Sequence, residues 1–381
     1  MRIGIDARPL ISESPSGIGI YLLEILRNFE KNENTTYILY TNEPIRNQDP
    51  VLAGFEKRVV SGKIGTFTVC FGLDKALKAD KIDEFWGTEH MLPLFVHGVK
   101  KVLTVHDLAL LIDPKWGSRK NAIMQNIFCR LSCKRADKII AVSEATKKDI
   151  VSLLSIDASR ITAILNGGGY GEYITPSDEE CRKIKKRFEI ETEPFFAYTG
   201  NIEPRKNIVT ILKAFEIACD RLDKTISLVL AGKLSWRTQP IIEAIEQNKY
   251  KDRIHLPGYI SEEEKKYLMH NACAFVFPSN YEGFGIPIVE AMSCGGIVIT
   301  ADNSSLKEVG GKAAFYVQKT DEVSQLADRM VQCFNLSDAE RKKLTVDGES
   351  WAAQFSWEKC AHETQAVLEL SLIHISEPTR P

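Results

Sequence analysis

Phe195-Phe196-Ala197-Tyr198-Thr199 runs directly into Gly200-Asn201-Ile202-Glu203-Pro204-Arg205-Lys206-Asn207, and Ile208, Ile211, Leu212, Phe215 and Ala218 then recur at helical spacing. The apolar, aromatic run reads as a buried strand. The glycine, proline and asparagines read as a loop, and the i, i+3, i+4 series reads as one face of a helix. The same unit repeats downstream, with strands expected at 226–231, 253–256, 274–278 and 297–300 and helices at 262–270 and 288–292. An earlier series precedes it. It has strands at 1–7, 37–40, 101–105 and 138–142, a helix face of Tyr21, Leu22, Ile25, Leu26 and Phe29, and a helix at 144–154. The glycine-rich Asn166-Gly167-Gly168-Gly169-Tyr170-Gly171 and the turn-prone Thr175-Pro176-Ser177-Asp178 separate the two series and read as a hinge. Strands that alternate with helices build parallel sheets with right-handed crossovers. The expectation is therefore an α/β protein of two Rossmann-like domains facing a central cleft, at 1–175 and 176–355. The chemistry should lie in the loops that follow the strands.

Composition narrows the function. The chain has 381 residues, too many for one ordinary core, and 44% hydrophobic with 26% charged residues is a globular balance. A net charge of −2 argues against a dedicated nucleic-acid binder. No apolar run reaches the ~18 residues that a membrane span needs, and the start, Met1-Arg2-Ile3-Gly4-Ile5-Asp6, lacks the pattern of a secretory signal. The 9 cysteines are odd in number, scattered and without a Cys-x-x-Cys pair, which points to a reducing cytoplasm rather than to disulfides or a metal cluster. Charge is uneven along the chain. Between Lys100 and Lys148, eleven bases face four acids. That segment reads either as solvated helix faces or as a basic face toward anionic lipid or a lipid-diphosphate acceptor.

Four clusters carry candidate chemistry. Ser16-Gly17-Ile18-Gly19 opens the first helix, where glycine backbone and a helix N-terminus favour an anion, although the G-x-G-x-x-G spacing is not met. His106, in Val105-His106-Asp107 at a strand end, can donate to a sugar hydroxyl or balance charge at a reacting centre; the alternative is a packed histidine. Arg205 and Lys206 sit in a strand-to-helix loop, where two cations and a helix N-terminus would hold a diphosphate without metal. In Glu282-Gly283-Phe284-Gly285-Ile286-Pro287-Ile288-Val289-Glu290, two carboxylates and a glycine-exposed backbone can hold a polyol beside a phosphate.

These motifs resemble the retaining nucleotide-sugar glycosyltransferases of family 4, also called glycosyl transferases group 1. The likeness runs from Met1 to about Leu370. Its most specific parts are the run from Glu282 to Gly295, Glu203-Pro204-Arg205-Lys206-Asn207, and Ser143-Glu144 ahead of a helix. The opening Ile5-Asp6-Ala7-Arg8-Pro9-Leu10 is most similar to the mannosyltransferase-B-like branch, which builds bacterial surface polysaccharide. The resemblance implies a GT-B fold and a metal-independent, cofactor-free hexosyl transfer from a nucleoside-diphosphate sugar, GDP-mannose favoured, to a glycan or lipid-linked acceptor. It also implies that Arg205 and Lys206 bind the diphosphate and Glu290 the ribose. Glu282 with Gly283, Phe284, Gly285 and Ile286 would hold the sugar, His106 would lie at the reaction centre, and Gly17 and Gly19 would line the cleft. Three positions depart from the family pattern: Asn201 where many relatives carry Arg, Ile20 where Arg or Thr is usual, and Gly168-Gly169 in place of Val-Asp. The segment 356–370 matches the family's last helix, which returns to the first domain; 371–381 matches nothing there and is expected to be a non-native tail.

No Asp-x-Asp occurs in the chain, so Arg205, Lys206 and a helix N-terminus would do the work of a divalent ion. A cytoplasmic location with peripheral contact to an anionic membrane fits this reading. Two other readings use the same scaffold: a nucleotide-sugar epimerase, which needs no acceptor, and a non-catalytic nucleotide-sugar-binding subunit.

Overall fold

The computed structural model describes residues 1–30, 32–60, 65–170, 173–190 and 194–373, with side chains through residue 369. The chain forms two compact units. The first is Met1–Gly167 with the segment from Ser356 onward, and the second is Gly168–Phe355.

The first unit is built on seven parallel strands: β1 (Arg2–Asp6), β2 (Thr36–Thr41), β3 (Glu56–Val59), β4 (Glu84–Gly87), β5 (Lys100–Val105), β6 (Lys138–Ala141) and β7 (Ile161–Ala163). Their order is β3-β2-β1-β4-β5-β6-β7. Three of its helices matter below: α1 (Gly17–Arg27), α2 (Arg119–Arg135) and α3 (Glu144–Leu154). Successive strand residues point to opposite faces, and both faces are covered. Trp86, Val102 and Ile140 join Ile3, Ile5, Leu22 and Leu26 in one core. Phe85, Leu103 and Ile139, each adjacent in sequence to one of those residues, join Cys129, Cys133 and Ile150 in the core on the other side. α3 starts where Ser143 accepts from the Thr146 amide at 2.9 Å and stops at Ser155, whose φ of +54° is left-handed.

The second unit repeats the plan with six parallel strands: β8 (Phe195–Thr199), β9 (Ser227–Ala231), β10 (Ile254–Gly258), β11 (Ala274–Phe277), β12 (Val298–Ala301) and β13 (Phe315–Val317), in the order β10-β9-β8-β11-β12-β13. α4 (Ile208–Arg221) follows β8, α5 (Glu262–Asn271) precedes β11, and α6 (Ile286–Ser293) follows it. The last helix, α7 (Trp357–Ile373), belongs to the first unit, where Cys360, Ala361 and Leu368 pack into the core that holds Ile3 and Trp86.

The structure differs from the sequence reading in several places. β3, β4, β7 and β13 carry no strong sequence signal: they are three or four residues long, and β3 is a charged, exposed edge strand of Glu-Lys-Arg-Val. The division between units falls between Gly167 and Gly168, ahead of the boundary expected at 175, because the glycines pack closely. A Cβ on Gly167 would meet Trp357 at 2.4 Å, and one on Gly168 would meet Val289 at 3.0 Å. Helix α7 continues past Leu370 to Ile373, so the expected tail begins inside it; residues 374–381 lie outside the described residues.

β4 lies between β1 and β5, and Glu84 stands in register with Ile3 on one side and Lys100 on the other. It is fully buried, and neither carboxylate oxygen has a hydrogen-bond partner among the described residues. Burial pushes its pKa up to about 8, with the charge of Lys100 acting the other way. A carboxyl that holds its proton longer folded than unfolded lowers stability as pH rises from its ordinary value, about 4.3, to about 8, above which the loss is constant. Glu84→Met should therefore stabilise the protein by upward of about 1 kcal/mol at pH 9 and by much less at pH 4. Equal gains at both pH values in denaturant melts would contradict this assignment.

Candidate active site

Each sheet has one point where strand order reverses, between β1 and β4 in the first unit and between β8 and β11 in the second. In open parallel sheets the chain ends of such strands diverge to opposite faces and leave a crevice where ligands bind. The candidate residues of the second unit lie in the two loops that leave β8 and β11.

Those loops are tied together. The Asn280 amide donates to the Arg205 carbonyl at 2.9 Å, and the Asn207 side chain donates to the carbonyls of Pro278 at 3.2 Å and Thr320 at 2.6 Å. Pro204–Lys206 makes a single 3₁₀ turn, which Asn207 ends in a left-handed conformation before α4 begins. Arg205 and Lys206 therefore stand one turn ahead of the helix rather than on it.

Glu282 joins the two cations. Its carboxylate accepts from Arg205 Nη1 at 2.9 Å and from Lys206 Nζ at 2.5 Å, while Arg205 Nη2 donates to Glu203 at 3.0 Å. Lys206 Nζ also lies 5.0 Å from the centre of the Phe277 ring, at the end of β11. All four charged side chains are largely buried. Burial alone would raise the Glu282 pKa, but Arg205 and Lys206 outweigh it and hold the group at about 2. Burial lowers the Lys206 pKa, against the pull of Glu282. The group therefore has two positive and two negative charges, held in place before any ligand arrives.

The rest of the loop is anchored from behind. Ser305 Oγ donates to the carbonyls of Glu282 at 2.9 Å and Phe284 at 2.8 Å, and Ser304 Oγ accepts from the Glu282 amide at 3.1 Å. Phe284 is buried edge-on against Phe355, and Gly283 is buried beside it. Gly285, at φ +102°, turns the chain into α6, a conformation that L side chains resist. Ile286 is half-buried at the first position of that helix. Glu290, one turn on, is held separately: it accepts from Lys265 Nζ at 3.0 Å and from the Tyr170 hydroxyl at 2.8 Å. The structure thus brings Arg205, Lys206, Glu282 and Glu203 into one group and gives Glu290 its own partners.

In the first unit, His106 follows β5. Its Nε2 lies 2.8 Å from the Thr88 carbonyl, and its ring stands edge-on to Tyr21 of α1 with centroids 4.9 Å apart. A carbonyl only accepts, so Nε2 carries the proton and Nδ1 is the acceptor. Burial, assisted by neighbouring His90, lowers its pKa to about 4. The proton expected for a sugar hydroxyl is therefore engaged with Thr88, and the ring is neutral at pH 7. Gly19 is set by packing, since a Cβ there would meet Pro15 at 2.5 Å and the Pro9 carbonyl at 2.7 Å; a Cβ on Gly17 would meet nothing within 4 Å.

Sequence reasoning missed the partners. Glu203 lay inside a quoted motif without a role, whereas Tyr170, Lys265, Ser304 and Ser305 are distant in sequence from the groups they hold. After β1, Arg8 makes a two-point contact with buried Asp6 and reaches Glu89 at 3.4 Å, another grouping with no local signal. Among the described residues, no three His, Cys, Asp or Glu side chains converge as a metal site requires.

Residues 180–351 match the family described as glycosyl transferases group 1, and residues 15–167 match glycosyltransferase family 4. The chain is 31% identical over 265 residues to O-antigen chain mannosyltransferase B of Escherichia coli, an alignment that covers 70% of this chain and 69% of that one. It is 27% identical over 234 residues to the serotype-specific mannosyltransferase WbdA of the same organism, where the match covers 60% of this chain but only 28% of that one. Among solved structures, Anabaena Alr3699/HepE, determined in complex with UDP and glucose, aligns with a TM-score of 0.73 at 18% identity over 97% of this chain and 99% of that one. A likeness of this kind shows the fold, which is GT-B. Together with the sequence matches along both units, it makes the chain a member of the glycosyl transferases group 1 and family 4 lineage of glycosyltransferases.

Proposed function

We propose that the protein transfers a hexose, mannose favoured, from a nucleoside-diphosphate sugar to a lipid-linked or oligosaccharide acceptor in surface polysaccharide synthesis, with retention of configuration. The observation that carries this reading is the buried Arg205–Glu282–Lys206 group at the switch point of the second sheet. The names of the E. coli relatives, O-antigen chain mannosyltransferase B and serotype-specific mannosyltransferase WbdA, support the sugar and the product class. The UDP held by the Anabaena protein supports a nucleotide donor.

On this reading Arg205 and Lys206 neutralise the diphosphate as the bond to the anomeric carbon breaks and the leaving oxygen gains charge. Glu282 and the backbone of Gly283, Phe284, Gly285 and Ile286 position the sugar, and Glu290 accepts from the ribose hydroxyls. In the first unit, His106, neutral and protonated at Nε2, offers Nδ1 to a sugar hydroxyl, and the glycine backbone at Gly17 and Gly19, where α1 begins, favours an anion. The acceptor hydroxyl attacks the anomeric carbon from the face that the diphosphate leaves. Its oxygen forms the new glycosidic bond, and its proton passes to the departing phosphate oxygen. The two cations take the part that a divalent ion plays elsewhere, so no metal enters this scheme.

Thermal unfolding with a panel of nucleoside diphosphates tests the donor. A nucleotide at 100 times its dissociation constant stabilises by about 2.7 kcal/mol, and GDP should shift the transition more than UDP or ADP. A larger shift with UDP overturns the mannosyl assignment and leaves the transferase reading standing.

Turnover tests the phosphate site. Losing one preorganised donor to a developing charge costs about 2.7–4 kcal/mol, so Lys206→Ala should slow kcat by roughly 10²–10³-fold, and Lys206→Arg should recover only part of it. A chelator should not inhibit the parent protein. Near-normal kcat in Lys206→Ala, or loss of activity with chelator, would refute the assignment.

A further inference from the structure

Glu290 on α6 is gripped by one oxygen only. The Tyr170 hydroxyl and Lys265 Nζ both lie against Oε1, at 2.8 Å and 3.0 Å, and among the described residues no hydrogen bond falls on Oε2. The same two groups reach Glu262 on α5, at 2.6 Å and 3.1 Å. Burial and the charge of Glu290 push the Tyr170 pKa up, so the phenol keeps its hydrogen. That single hydrogen serves two carboxylates, but the phenol oxygen occupies the space before Oε1 whichever of them takes it. Burial would lower the Lys265 pKa; Glu290 and Glu262 outweigh it, and the ammonium stays charged. A carboxylate oxygen offers about two acceptor positions, and Tyr170 and Lys265 take both of those on Oε1.

Tyr170 is itself held in place. Its amide donates to Ser293 Oγ at 3.1 Å, and Ser293 Oγ donates to the Glu290 carbonyl at 2.8 Å. The ammonium groups of Lys265 and Lys266 lie 5.1 Å and 4.6 Å from the centre of its ring. The close approach depends on glycine. Gly169, at φ +121°, sits so near α6 that a Cβ would meet the Ser293 Cβ at 3.2 Å, and Gly168 packs on Val289 in the same way. These are the two positions where the chain departs from the Val-Asp of the family pattern, and an aspartate would be strained at that φ.

We propose that Tyr170 and Lys265 are positioning residues that leave Glu290 Oε2 alone for the donor, so that the site reads one hydroxyl of the ribose diol and is blind to the other. The proposal rests on the reading above, in which Glu290 accepts from the ribose, and narrows it. A free carboxylate can bridge a vicinal diol with both oxygens. Here, turning to do so would break the contacts on Oε1 and leave a largely buried ammonium without this partner.

Calorimetric titration of the full chain with GDP, UDP and ADP identifies the tightest binder, and its 2′-deoxy and 3′-deoxy forms then test the ribose. One deoxy form should bind about 10-fold or more weaker than the parent nucleotide, as expected for a lost hydrogen bond to a charged group, and the other within about 2-fold of it. Tyr170→Phe keeps the ring and frees a position on Oε1, so the carboxylate can turn to the second hydroxyl. The gap between the two deoxy forms should then shrink by about 3-fold or more, with an unchanged melting transition. A tyrosine that only supported the fold would shift all three nucleotides alike. Equal weakening of both deoxy forms in the parent protein, or a gap that Tyr170→Phe leaves untouched, overturns the proposal and leaves the ribose assignment standing. Full affinity for both deoxy forms overturns the ribose assignment, and this proposal with it.

Discussion

One carboxylate organises the second unit. Glu282 accepts from Arg205 and from Lys206 in a largely buried position, and Glu203 completes the group. Buried charges are tolerated only when paired and hydrogen-bonded, and breaking such a pair typically costs about 3–5 kcal/mol. The surrounding structure meets that demand. Ser304 and Ser305 fix the backbone of Glu282, Asn207 clasps the loop after β11, and Arg205 is joined to that loop through Asn280. Two loops that could each move are thereby held as one. On the proposed reading this preorganisation is what a transferase needs, because cations already in place stabilise a developing charge without reorganising when it forms.

The loops meet because of strand order. Reversal at β8 and β11 sends their following segments to opposite faces of the sheet, and the crevice between them receives both motifs. The first unit obeys the same rule: Arg8 follows β1, the Thr88 and His90 region follows β4, and His106 follows β5, so Thr88 can accept from His106 Nε2. A one-place change in strand order would part Arg205 from Glu282, although each would keep its own loop.

Much of this was legible in the sequence, and the reasons are specific. Phe195–Thr199 and Glu144–Leu154 matched their elements to the residue, because one is a five-residue apolar run ended by glycine and the other has Ser143 as its cap. β3 lacks the apolar alternation on which strand reading depends because it is an exposed, charged edge strand, and β4, buried between β1 and β5, is a four-residue Glu-Phe-Trp-Gly run whose acid masks its apolar character. The α2 segment shows only its charge in the sequence, since its exposed Ile123, Ile127 and Leu131 blur the contrast between a buried and a solvent face. In the candidate site, Arg205, Lys206, Glu282 and Glu290 stood out as charges in glycine-rich loops. Their partners did not: Lys265 and Tyr170 reach Glu290 from other elements, and only tertiary structure brings them there. The protonation state of His106 was equally unreadable, because it follows from the Thr88 carbonyl and from burial beside His90.

On the proposed reading, Glu282 holds Arg205 and Lys206 for a diphosphate and competes with it for their charge until the donor is seated. Calorimetric titration of GDP into the parent protein and into Glu282→Gln, alongside turnover of the sugar donor, tests it most directly. Removing the competing negative charge should tighten GDP binding by several-fold, in keeping with an exchange worth about 1 kcal/mol, while transfer falls because the sugar loses its anchor. GDP affinity that falls in step with turnover would contradict the account and make Glu282 a support for the fold alone.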